Sequence, residues 1–231
     1  MTAFRFIAWA GALTLTIGPA LAAGGEVGHT VSASDTVTGQ LAGQSDVKAN
    51  NDPIFMDERI AANATGLGQF RLRDGTKLVV GPGGTVTIDR LIYSSETTVQ
   101  QLTFKATKGA FRFISGSSPS EAYSIVTPSA TIGVRGTVFD VMVGGAQTHL
   151  AVMAGTVNLC SGAVCRLVEA CQYAVAGGGQ VSDPGSIAGE VAQRSSLGTT
   201  FPLLANQSNL LPGFRTVACG TTASTDREKR W

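Results

Sequence analysis

Apolar and polar residues alternate with period two along much of this chain, and glycine breaks the alternation at short intervals; no other feature limits the possible folds as strongly. The alternation runs through Gln69-Phe70-Arg71-Leu72-Arg73, Lys77-Leu78-Val79-Val80, Thr85-Val86-Thr87-Ile88, Gln101-Leu102-Thr103-Phe104, Phe111-Arg112-Phe113 and Thr148 through Val152. Successive side chains of a strand point to opposite faces, so each run sets an apolar face inward and a polar face outward. Asp74-Gly75 is a hairpin signal, because the turn it favours needs a positive φ that glycine accepts without steric cost. Gly81-Pro82-Gly83-Gly84, Gly116-Ser117-Ser118-Pro119, Gly144-Gly145 and Gly155 mark further expected reversals. About ten short strands with turns roughly every 8 to 12 residues predict an all-β sandwich, barrel or coiled architecture. No strict fixed-length repeat is present, which argues against a regular β-helix.

Composition narrows the functional classes. The formal net charge is +1 and 14% of residues are charged, so no basic field gathers phosphates and nucleic acid is not an expected partner. Glycine, at 29 residues with 6% aromatics, fits tight turns between strands better than a helical bundle. Arg5, the apolar run Ile7 to Ile17 and Ala20-Leu21-Ala22 make up the three parts of a secretory leader, cut after Ala22. The apolar run is short for a membrane span, and no cysteine follows the cleavage site to accept a lipid anchor. The expected organisation is therefore 1–22 signal peptide, 23–52 flexible linker, 53–178 β domain and 179–231 a loosely structured C-terminal extension. The linker is expected from Ser, Thr, Gly and Asp with little apolar periodicity, and His29 within it is expected to be solvated.

The stretch Tyr123 to Val143 alternates like a strand, turns at Thr127-Pro128 and resumes through Gly133-Val134-Arg135-Gly136-Thr137. Upstream stand Leu72-Arg73-Asp74-Gly75-Thr76-Lys77-Leu78, Gly81-Pro82, Ile88-Asp89-Arg90 and Lys108-Gly109-Ala110-Phe111-Arg112-Phe113-Ile114-Ser115-Gly116. In this order they closely resemble the stations of the FecR domain family, over roughly Pro53 to Ala176. The resemblance implies a single FecR-like module, solenoid-like or sandwich-like, lying outside the cytoplasm and in many members receiving signals for regulators of iron uptake. Such regulators resemble a cytoplasmic sigma-binding segment, a membrane span and then the FecR domain. Here a leader stands directly before the domain, so binding in the envelope is expected rather than direct anti-sigma action.

Gly133, Arg135, Gly136 and Thr137 form the family signature, and two readings of it stay open. Arg135 could contact an anion or a partner. Alternatively, two glycines three apart in a β run mark a bulge, where an arginine with five donors could cap carbonyl oxygens and fix the fold. Cys160, Cys165, Cys171 and Cys219 are the only cysteines, and an even count in an exported chain suggests disulfides. Cys160 and Cys165 flank a loop of hairpin size, which leaves Cys171 to join Cys219. Zinc would need closer cysteine pairs or clustered histidines, so no metal is expected.

No G-x-S-x-G elbow, H-E-x-x-H, P-loop or well-placed G-x-G-x-x-G is present, so no catalytic residue and no cofactor is expected. His149 reads as an ordinary strand histidine rather than a triad member with Asp140, and Asp57, Glu58, Asp74, Asp89 and Asp140 read as single carboxylates on turns and strand faces. In the C-terminal part, Ser186 to Ser196 could be helical. Phe201-Pro202-Leu203-Leu204 and Leu210-Leu211-Pro212 are expected to pack back on the β domain, with partner binding as the alternative. The sum is a non-catalytic periplasmic or secreted module for protein interaction or signal sensing, with an envelope protein as partner; a cell-wall or polysaccharide ligand is the second reading.

Overall fold

The computed structural model describes residues 25–187, 198–216 and 219, leaving aside the side chains of Ser120 and Arg135. The expected leader and most of the expected helix, Ser186 to Ser196, lie outside the described residues. Within them the chain is all-β. In order the strands are β1 (Glu26–Ser34), β2 (Val37–Leu41), β3 (Gln44–Val47), β4 (Pro53–Phe55), β5 (Arg59–Ala62), β6 (Leu67–Leu72), β7 (Lys77–Val80), β8 (Thr85–Ser95), β9 (Thr98–Ile114), β10 (Tyr123–Val126), β11 (Thr131–Gly144), β12 (Gln147–Ser161), β13 (Val164–Glu169), β14 (Gln172–Gly177), β15 (Gln180–Val181) and β16 (Gly185–Ser186).

One hydrogen-bonded network joins them. Its main path runs β15-β14-β12-β11-β10-β9-β7-β6-β1-β4, with β13 and β16 added beside β12 and β14, and with β8, β5, β2 and β3 branching from β9. Every ladder is antiparallel except that of β9 with β10. The branching arises because the long strands change partners along their length. β9 pairs with β8 over Thr98 to Lys108 and with β11 from Gly109 to Ile114. β12 pairs with β14 over Gln147 to Val152 and with β13 from Thr156 to Ser161.

Glycines make these changes possible. Gly109 has φ +87°, and a Cβ there would stand 2.5 Å from the backbone of Gly84. Gly136 has φ +54° where the β11–β12 register shifts between Arg135 and Val138. An L-residue with a Cβ is strained in that left-handed conformation. Gly155 had been expected to reverse the chain, but it lies inside β12 beside this bulge: two strands bend together here, so the chain continues instead of turning back.

The linker expected over 23–52 is corrected as well. From Glu26 onward it is sheet: β1 pairs with both β4 and β6, and β2 pairs with β3 and β5. Val27, Thr30 and Val37 are buried there. β1 and β2 are held by neighbours on both sides and β3 by β2 alone, so ladders hold this polar segment more than large apolar side chains do. The sheet also passes the expected boundary at 178, since β15 and β16 complete the edge of β14.

Inside lies one apolar core. Phe113 sits at its centre, 5.3 Å from the Phe139 ring, 5.5 Å from Tyr123 and 6.0 Å from Phe104. Each buried ring of this kind contributes about 1.5–3 kcal/mol by removal from water alone. Two smaller apolar clusters lie on the opposite face of the sheet, where Leu203, Leu210 and Phe214 meet Val79 and Ala110, and Phe201 meets Ala151, Met153 and Ile187. The C-terminal segment thus packs back on the sheet, through a helical turn at Pro202–Ala205 and two 3-10 turns at Gln207–Asn209 and Pro212–Phe214.

Candidate functional site

The signature strip runs from β10 through the turn at Thr127 into β11. In that turn Thr127 Oγ1 accepts the Ala130 amide at 2.9 Å, and the Thr127 amide donates to the Ala130 carbonyl at 2.8 Å. The Thr148 hydroxyl reaches both Thr127 Oγ1, at 2.7 Å, and Ser129 Oγ, at 2.8 Å. Thr127, Ser129 and Ala130, with Ser161, Gly162 and Gly179, line an open depression of about 530 Å³ that carries no charged side chain. Hydroxyls and small apolar surfaces there can hold a neutral polar group but offer nothing to ionise.

The four motif residues are not gathered at this depression. Gly133 pairs with Ser124 and Asn158, and the Arg135 backbone pairs with Thr156. The Arg135 side chain lies outside what is described. Thr137 is buried, donates its amide to Ser115 Oγ at 2.8 Å and receives the Ser115 amide on its carbonyl at 3.0 Å. These bonds tie β11 to the end of β9.

Carboxylates expected on turns and strand faces prove to be structural ties. Asp74 is buried below the β6–β7 turn, where Oδ1 accepts the Thr76 amide at 2.9 Å and Oδ2 accepts the hydroxyls of Tyr123, at 2.8 Å, Thr76 and Ser118. Burial pushes the Tyr123 phenol above its ordinary value. Glu58 is buried against Lys48 at 2.5 Å and accepts the Phe55 amide at 2.8 Å, in room that a side chain at Gly39 would fill. Asp89 and Asp183 are paired nearer the surface, Asp89 at 2.5 Å from Lys105 and Asp183 at 3.4 Å from Arg166.

The strongest departure from expectation is Asp140. It lies directly across the ladder from Arg112, and Nε and Nη2 of Arg112 bond its two oxygens at 2.6 and 2.8 Å. Arg112 has no exposed surface. Its remaining nitrogen donates to Gln207 Oε1 at 2.9 Å and to the Phe214 carbonyl at 3.3 Å, so the C-terminal segment roofs the pair. Burial raises the Asp140 carboxyl, and the bidentate guanidinium opposes that shift. Asp140 bonds Arg112 and makes no bond to His149, which stands two ladder positions away opposite Met142 and Val175. Burial lowers the His149 imidazole below its ordinary 6.5.

The cysteines stand in two pairs at disulfide distance. Cys160 and Cys165 face each other across the β12–β13 turn with Cα atoms 4.1 Å apart, and Cys171 and Cys219 have Cα atoms 5.3 Å apart. Among the described residues no three His, Cys, Asp or Glu side chains converge as a metal site would require. No helix among them is long and apolar enough to cross a membrane.

Residues 58–158 match the family model described as FecR protein. They are a FecR domain. The match lies within the stretch expected from the sequence, and the sheet extends past it on both sides. Comparison with solved structures finds two crystal structures of a protein described as a "putative anti-sigma factor" from Parabacteroides distasonis ATCC 8503. One has 18% identity and a TM-score of 0.45, the other 16% and 0.44; in both the alignment covers 55% of this chain and 59% of that one. The chain thus spans less than two thirds of that protein. No curated protein matches.

Proposed function

We propose that this chain is a non-catalytic, exported FecR-domain protein that acts in the envelope as a protein-interaction or signal-sensing module. The observation that carries the reading is the FecR match over residues 58–158, the region that supplies most of the sheet. Supporting it, the buried carboxylates Glu58, Asp74 and Asp140 are each engaged by cations or hydroxyls, which leaves them no free role as acid or base. Two cysteine pairs at bonding distance fit an oxidising compartment, and the leader read at Arg5 to Ala22 supplies the route. The glycan reading needs exposed aromatic platforms; every described Phe and Tyr is buried or partly buried.

Protein purified from its native host should have an intact mass starting at or near Ala23 with two disulfides, and should crosslink to a distinct envelope protein. A chain still beginning at Met1 would remove the export step. Hydrolysis of cell-wall glycans that is lost on Asp89→Asn would overturn the non-catalytic reading.

A further inference from the structure

The segment that closes the structure is built less like part of the sheet than like something bound to it. Among the described residues no backbone-to-backbone hydrogen bond joins 201–216 to a strand. Its shape is held from within: the Arg215 guanidinium donates to the carbonyls of Leu210 and Ser208, and Gln207 Oε1 accepts the Thr216 amide at 2.7 Å. Against the sheet it presents Leu203, Leu210 and Phe214 as apolar anchors.

The face beneath is correspondingly formed, and the FecR domain provides it. Val79 and Ala110 give an apolar floor. Around that floor Gln69 Oε1 accepts the Leu211 amide at 2.9 Å, Lys77 Nζ donates to the Gly213 carbonyl at 2.7 Å and stands over the Phe214 ring, and Arg112 donates to Gln207 and the Phe214 carbonyl. Polar groups that fix orientation around an apolar floor are the usual make-up of a recognition site. The Cys171–Cys219 link then clamps the occupant's far end.

We propose that this outer face is a peptide-docking site which residues 201–216 fill in cis, and that a partner would present the same chemistry: a looped peptide with bulky apolar side chains flanking an uncharged carboxamide. The site opens when a dithiol reductant cleaves Cys171–Cys219. Two electrons and two protons pass to the chain, two cysteine thiols form, and the reductant becomes the disulfide. This rests on the interaction role proposed above and names the kind of partner it takes.

The test uses the full mature chain carrying Cys219→Ser, Leu210→Ala and Phe214→Ala, which weakens the occupant and leaves the seat intact. The probe is a labelled synthetic peptide of residues 201–216. Hydrogen exchange should show residues 203–216 of this variant unprotected while β9 and β11 keep their protection, and the peptide should then bind saturably. Adding Gln69→Ala or Lys77→Ala, or placing Phe214→Ala in the peptide, should weaken binding by about tenfold, as expected for one lost directional contact. The oxidised wild-type chain should not bind the peptide until a dithiol is added. Three outcomes overturn the proposal: a segment that stays protected in the variant, which would make it integral to the fold; a displaced segment with no peptide binding; or binding indifferent to Gln69, Lys77 and Phe214. None of these touches the broader interaction role, which the crosslinking experiment tests separately.

Discussion

The creased sheet and the C-terminal hook, residues 201–216 lying over its outer face, bury comparable chemistry by opposite means. In the sheet, β11 is held along its whole length by ladders with β9, β10 and β12, so the position of any one side chain is fixed many times over. The hook has no ladder to the sheet and is fixed by a few side-chain contacts and one cysteine pair. Local stability varies across a protein in this way, with regions of few cooperative bonds opening first. Perturbations of the sheet should therefore be global, and those of the hook local. The Arg112–Asp140 pair lies where the two meet.

Removing one member of that pair gives the largest expected effect. Asp140→Ala leaves the Arg112 guanidinium buried without its carboxylate, and breaking a buried pair in this way costs about 3–5 kcal/mol. Urea denaturation of the purified chain measures it. The double variant Arg112→Met, Asp140→Leu should recover most of the loss, because no uncompensated charge stays behind. If the single variant costs nothing, the roof is open to water and the hook does not seal the pair.

The two cysteine pairs sharpen the comparison next. Cys171 and Cys219 are 48 residues apart, for which the chain-entropy model gives about 4 kcal/mol; Cys160 and Cys165 are 5 apart, which gives about 2 kcal/mol. The location should differ as well as the size. Replacing Cys171 and Cys219 together by Ser should free the hook while the sheet unfolds at a similar denaturant concentration. Replacing Cys160 and Cys165 together should lower global stability slightly, because the six ladder pairs of β12 with β13 already hold that hairpin. Thermal melts and hydrogen exchange on the two variants distinguish these outcomes.

What was legible in the sequence follows the same division. Alternation and Asp74-Gly75 point to β6, β7, β9 and β12, because those strands carry one face on the core and their turns need glycine: Gly75 has φ +82°. The cysteine pairing was legible because sequence spacing bears directly on loop size. Three things were not. β1 to β3 read as linker because Ser, Thr and Gly form strands there only once neighbouring strands supply a ladder. Gly109, Gly136 and Gly155 bend long strands instead of ending them, and a glycine alone does not say which. Arg112 alternates with Phe111 and Phe113 and so reads as facing solvent, yet what covers it begins 95 positions downstream at Gln207. Local pattern carries no record of a cover contributed from so far along the chain.

The creases offer a smaller test within the sheet. Gly136→Ala should cost about 1–2 kcal/mol, since a Cβ there meets open space and only the left-handed backbone is penalised. Gly109→Ala should cost more, because its Cβ adds a collision with the Gly84 backbone to the same strain. Equal losses at the two sites would mean that β9 can shift away from Gly84, and that this part of the sheet is less firmly held than its ladders imply.

The smallest expected effect is a pH dependence at His149, and it too separates sheet from hook. His149 lies on β12 between Met142 and Val175, and burial lowers its pKa from the ordinary 6.5. Between the lowered folded value and 6.5 the unfolded chain binds more protons than the folded one, so stability rises with pH across that window. On acidification, stability falls as the pH drops through 6.5 and levels off once it is below the folded value. His149→Gln should flatten this part of the melting-temperature profile relative to wild type, while the carboxylates add the same slope to both chains. The ring is only partly buried, so water screens the charge and the difference should be small. It should appear in the global melt and leave hook exchange unchanged; a pH response confined to residues 203–216 would place His149 in the control of the hook instead of in the sheet.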